Sequence, residues 1–161
     1  MDKFSVLDYN AFRDIAFDWA DSLDRKDWEK LGDILAPTIM CLQVDYIMIG
    51  VAAIPAMPSS EFISMMSAPN LLGHPLVRTQ HLIGATKYEY VSDTETMATH
   101  QIRAAHQRYT TPEHKEVEAT GHGHGNVKHW YRKMENDGQW KFAGVKPEMY
   151  WVEGTFDKIF V

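Results

Sequence analysis

The sequence predicts an α+β fold, with helices first and then a curved antiparallel or mixed sheet that wraps them into a cone around one pocket. Three observations carry this. Apolar residues in the first part of the chain recur at helical spacing. From Val77 onward, four long segments are rich in β-branched, aromatic and histidine residues. Short turn signals separate those segments. At 161 residues, 45% of them hydrophobic and 24% charged, the chain reads as one globular domain spanning 1–161, with a core large enough to enclose a pocket.

The first helix is expected over about residues 6–23, because Phe12, Ile15, Ala16, Trp19, Ala20 and Leu23 form one apolar stripe. Asp24 lies four positions after Ala20, so continuing the helix brings a carboxylate to the edge of the core. A short second helix over about 27–35 carries Trp28, Leu31, Ile34 and Leu35, and Pro37 ends it. The apolar stretch that follows reads as a strand near 42–48. Ser59 or Ser60 caps a third helix reaching about Met66, with Phe62, Ile63 and Met66 turned inward. Pro69 and Gly73 mark a loop. Strands are then expected over 77–91, 96–109, 114–133 and 140–152. Ser92-Asp93-Thr94 and Asn136-Asp137-Gly138 are the turns between them, with a weaker signal at Thr110–Glu113. A short tail spaces Phe156 and Phe160 four apart, as one apolar edge of a helical turn.

A net charge of −6 argues against nucleic acid and anionic membranes as partners. Cys41 is the single cysteine, so no internal disulfide is available. Residues Met1 to Ser5 lack a signal-peptide pattern, and no apolar run approaches the roughly 18–20 residues of a membrane span. The expected location is the cytoplasm.

His81 and His106 stand in two predicted strands, and Asp24 closes the first helix. Imidazole exchanges protons near neutral pH, and a carboxylate fixes its tautomer and stabilises its charged form. Brought into one pocket, the three groups suit acid–base chemistry without a cofactor. Tyr46 on its own reads as a packed tyrosine. His122 and His124 share a strand face and would need His81 or His106 as a further metal ligand, and no metal is expected. The glycines around them indicate a bulged or closely packed strand. Gly125, Val127, His129 and Tyr131 share one face, read as the inner one because Lys128 lies on the other.

The segments Trp19-Ala20-Asp21-Ser22, Lys26-Asp27-Trp28, Ala36-Pro37-Thr38, Ala56-Met57-Pro58, Arg78-Thr79-Gln80-His81, His106-Gln107-Arg108-Tyr109, His129-Trp130-Tyr131 and Trp140–Gly144, in this order, resemble the scytalone dehydratases of fungal melanin synthesis. The resemblance covers nearly the whole chain. It implies the cone-shaped α+β barrel of the NTF2-like superfamily, a homotrimer, and a cofactor-free dehydration of a cyclic, polyketide-derived hydroxyketone. It assigns proton transfer to His81 and His106, support of the second histidine to Asp24, and polarisation of the substrate carbonyl through an ordered water to Tyr46. Phe156 and Phe160 match aromatic residues of a C-terminal lid, and Pro147 matches a pocket-lining proline. Three positions depart from the family pattern. Leu23 replaces a second tyrosine, Gly125 a serine that bonds the first histidine, and Val127 a substrate-binding asparagine. Asn126 is adjacent and would enter the pocket if a bulge shifted the register.

One buried donor to a developing enolate is worth about 3–4 kcal/mol. Three polar-to-apolar changes therefore point to a larger or less polar substrate than the parent one. The expected chemistry has His106, oriented by Asp24, abstracting a proton beside a carbonyl while His81 carries it to the leaving oxygen. An isomerisation or cyclisation by the same pair, and a non-catalytic small-molecule binding protein, are the alternatives.

Overall fold

The computed structural model describes residues 3–41 and 56–161. Tyr46 and the strand expected near 42–48 lie outside them.

Helix α1 spans Val6–Arg25. Ser5 and Asp8 close its N-terminus with a reciprocal capping box, and Lys26 ends it in the left-handed conformation. Its stripe is buried as the spacing predicts, from Phe12 through Leu23. Helix α2, Trp28–Ile34, is capped by Asp27, whose side chain accepts from the Lys30 N–H. The chain then turns extended at Leu35, so Pro37 lies inside strand β1 (Leu35–Cys41) rather than marking the helix end. Strand β2 is Met57–Pro58 and helix α3 is Ser59–Met66. Neither Ser59 nor Ser60 caps α3. Pro58 holds the cap position with no side-chain bond, its ring-restricted φ of −56° leading the chain into the first turn. Phe62 and Met66 are buried, with Ile63 packed against the same core.

Four long strands follow: β3 (Val77–Ser92), β4 (Glu95–Tyr109), β5 (Val117–Lys133) and β6 (Trp140–Gly154). Gly138, at φ +70°, makes the predicted turn between β5 and β6. The sheet order is β2-β1-β6-β5-β4-β3. Every neighbouring pair is antiparallel except β1 with β6, so the sheet is mixed. Among the described residues β2 and β3 are free edges. The expected barrel is therefore an open, curved sheet with helices against its inner face. Phe12 of α1 stacks on Tyr131 of β5 at 5.4 Å, and Trp19 lies 4.6 Å from His129 and 6.1 Å from Phe142. A turn of 3₁₀ helix, Phe156–Lys158, returns to the sheet after β6.

Candidate active site

Asp24 sits in the last turn of α1, beside edge strand β3. Its carboxylate accepts from the backbone N–H of His81 at 2.9 and 3.1 Å and lies 2.7 Å from the same residue's Nδ1. It thus satisfies an edge amide and orients a ring at once. The pairing corrects the sequence expectation, in which Asp24 served His106. His106 belongs to β4, opposite Thr79 in the register, and its Nδ1 lies 2.9 Å from the Thr79 hydroxyl. Thr79 and His81 alternate on one face, so both histidines look inward, with ring centroids 6.3 Å apart. Burial, and then the neighbouring His81 and His122, push the pKa of His106 down to about 3. It is a neutral imidazole at physiological pH.

The tail residues reach this pair. Phe156 lies 5.5 Å and Phe160 5.2 Å from the His106 ring. Leu23 and Val127 are buried in the main core. Pro147 is half-buried opposite Val127 on β6. A Cβ on Gly125 would stand 2.0 Å from the Glu148 carbonyl oxygen, so a serine cannot take its place on this backbone. Asn126 does not enter the pocket. A bulge does occur here, but the extra residue is Tyr150 on β6, so the alternation of β5 continues undisturbed. The Asn126 amide donates to the Tyr150 hydroxyl on the outer face. His122 and His124 share that outer face, the reverse of the one that His81 and His106 occupy, because Gly121 and Gly123 take the inner positions. His124 bonds Glu153 at 3.0 Å and stacks on Trp151. Among the described residues, no group of three His, Cys, Asp or Glu is placed to hold a metal ion.

Thr79 was not singled out from the sequence, although its position two residues before His81 in a strand is the signal that finds it. A second polar string was missed as well. Thr86 meets His100 at 2.7 Å, and the Tyr131 hydroxyl joins His100 and His129 at 3.1 and 3.2 Å. Burial drives His100 down to about 4 and His129 well below the usual histidine range. The sequence already reads His129 as inward, and strand parity with His106 would have placed His100 inside beside it.

Three helices against one open mixed sheet, bringing an acid–histidine pair up to a second histidine, define the fold and the candidate site. Residues 3–161 match the profile of the scytalone dehydratase family, and the chain belongs to that family. It is 48% identical over 153 residues to scytalone dehydratase arp1 of Aspergillus fumigatus, covering 95% of this chain and 88% of the relative. It is 45% identical over 159 residues to scytalone dehydratase of Pyricularia oryzae, covering 99% and 90%. Among solved structures, hexachlorocyclohexane dehydrochlorinase LinA-type3 from Novosphingobium barchaimii shares the fold, with a TM-score of 0.71 at 14% identity over 97% of this chain and 95% of that one. Among the described residues no helix is long and apolar enough to cross a membrane.

Proposed function

We propose that this protein is a cofactor-independent dehydratase acting on a cyclic, polyketide-derived hydroxyketone in fungal secondary metabolism. The observation that carries the reading is the Asp24–His81 pair facing His106 and Thr79. Asp24 accepts the Nδ1 proton of His81 and so leaves Nε2 as the base. That nitrogen removes the proton beside the substrate carbonyl, and Asp24 balances the charge then formed on the ring. Tyr46 polarises the carbonyl, the role the family resemblance assigns it. With the Thr79 hydroxyl donating to Nδ1, neutral His106 carries its proton on Nε2 and donates a hydrogen bond to the departing oxygen. His81 returns the proton it took, the C–O bond breaks, and water leaves. Compared with the sequence expectation, base and donor exchange places because the carboxylate stands on His81.

The apolar Leu23 and Val127, with Phe156, Phe160 and Pro147, suit a more hydrophobic, aromatic substrate than a wall carrying Tyr, Ser and Asn would. A homotrimer belongs to the same reading, and light scattering on the purified protein tests it.

The test of function is incubation with scytalone, followed by mass spectrometry. Loss of one water, abolished in the His81→Ala/His106→Ala double variant, supports the assignment. General acid–base groups of this kind contribute typically about 10²–10⁴ in rate, so either single variant should fall within that range. A product of unchanged mass would transfer the same histidines to isomerisation or cyclisation. Undiminished turnover in the double variant would overturn the assignment.

A further inference from the structure

We propose that Arg108 is a positioning residue, a latch that holds the segment 156–161 over His106 and thereby controls access to it. Arg108 follows His106 by two residues in β4, so both side chains leave the same face of the sheet. Its Nη1 donates to the Ile159 carbonyl at 3.2 Å and also to the Val161 carbonyl. Its Nε pairs with Glu118 of β5 at 2.9 Å. The guanidinium fork therefore joins β4, β5 and the returning segment through one rigid plane.

His74 stands beside Arg108 without sharing in the latch. Its Nδ1 accepts from the Leu76 N–H at 3.1 Å, which places the ring proton on Nε2. That N–H can then donate only to an acceptor. The 3.2 Å approach of Arg108 Nη1 to Nε2 is consequently a contact between two donors rather than a hydrogen bond. Lys26, just past the end of α1, fixes the loop by donating to the His74 carbonyl.

The segment is seated as well as tied. Gly154, at φ +76°, turns the chain out of β6, and the Thr155 N–H bonds the Thr120 carbonyl at 2.8 Å. Gly121 admits the backbone of Phe156, since a Cβ there would come within 2.7 Å of its Cα. Ile159 is fully buried against Val77 and Ala119. The segment thus delivers Phe156 and Phe160 onto His106, leaving that residue only 5% exposed. Few backbone hydrogen bonds hold it, so opening it leaves the sheet intact.

The inference deepens the proposed function, but its test needs no substrate, so it can fail while that function stands. The probe is diethylpyrocarbonate, which acylates neutral imidazole, with modification of each histidine followed by peptide mass spectrometry. Arg108→Gln removes both charge and fork. Arg108→Lys keeps the charge and loses the fork. Both variants should raise the modification rate of His106 tenfold or more, while His100 and His129 stay unreactive. A wild-type rate at His106 in Arg108→Lys would overturn the fork as the latch, and a wild-type rate in both would overturn the latch altogether. Equal acceleration at His100 and His129 would show general loosening and overturn it too.

Discussion

Asp24 spends its carboxylate entirely on His81, meeting both the backbone amide and the ring. Replacing it with Asn keeps the shape but turns one oxygen into a donor, which faces N–H groups already in place. Asp24→Asn should lower turnover of scytalone by about 10²-fold or more, with far-UV circular dichroism unchanged. Gly125 makes the opposite point. Restoring the serine of the family pattern would drive a Cβ to 2.0 Å from a backbone oxygen. Gly125→Ser should therefore destabilise the protein by about 1–3 kcal/mol, the ordinary cost of overpacking, read from the midpoint of urea unfolding. The absence of a side chain at Gly125 is thus built into the sheet, because the backbone of Glu148 and Met149 on β6 fills the space a Cβ would need. Val127 belongs to the same adjustment. It is 2% exposed in the core, so an asparagine there would bury its amide and need a partner inside the protein.

Elements position these residues through their ends. The capping box at Ser5 and Asp8 starts α1, and Asp8 also accepts from the indole N–H of Trp140 at 2.7 Å, tying the helix start to the sheet. The hydroxyl of Ser5, first among its partners, holds the Asp8 carboxyl below its ordinary value. Ser5→Ala should cost about 1 kcal/mol in urea unfolding. Nineteen positions further along the same rigid helix stands Asp24. Because Trp19 packs on His81 at 5.3 Å and on His129 at 4.6 Å, the helix is also clamped near the site. The cap variant should consequently lower stability while leaving the turnover of the folded protein nearly unchanged.

At the scale of the whole molecule, the cone buries three neutral histidines, His100, His106 and His129. Their folded-state pKa values are depressed, to about 4, to about 3 and well below the usual range respectively, with burial the leading cause in each. The unfolded chain binds protons at these residues near pH 6.5, and the folded one does not. Between about pH 6.5 and 4 the unfolded state therefore holds more protons, and stability must fall as pH falls. Each histidine contributes up to about 1.4 kcal/mol per pH unit in that window. Urea midpoints measured from pH 7.5 to 4.5 should decline steadily below pH 6.5. His100→Gln should make the decline shallower.

What the sequence determined by itself was set by local chemistry. The stripe from Phe12 to Leu23, the turn at Asn136–Gly138 and the inward parity of Val127, His129 and Tyr131 all follow from periods of 3.6 and 2 that neighbouring residues impose on one another. Those same periods, with the family motifs, were enough to bring Asp24, His81 and His106 forward as one set. Only the tertiary structure decided which partners they take. Asp24 goes to His81 because α1 ends beside edge strand β3, where an amide stands open. His106 goes to Thr79 because the β3–β4 register sets them opposite. Asn126 stays outside because the extra residue falls on β6. Pairing across a sheet and packing of a helix end depend on contacts between residues far apart in the chain, and no periodicity within one segment encodes which distant segment will meet it.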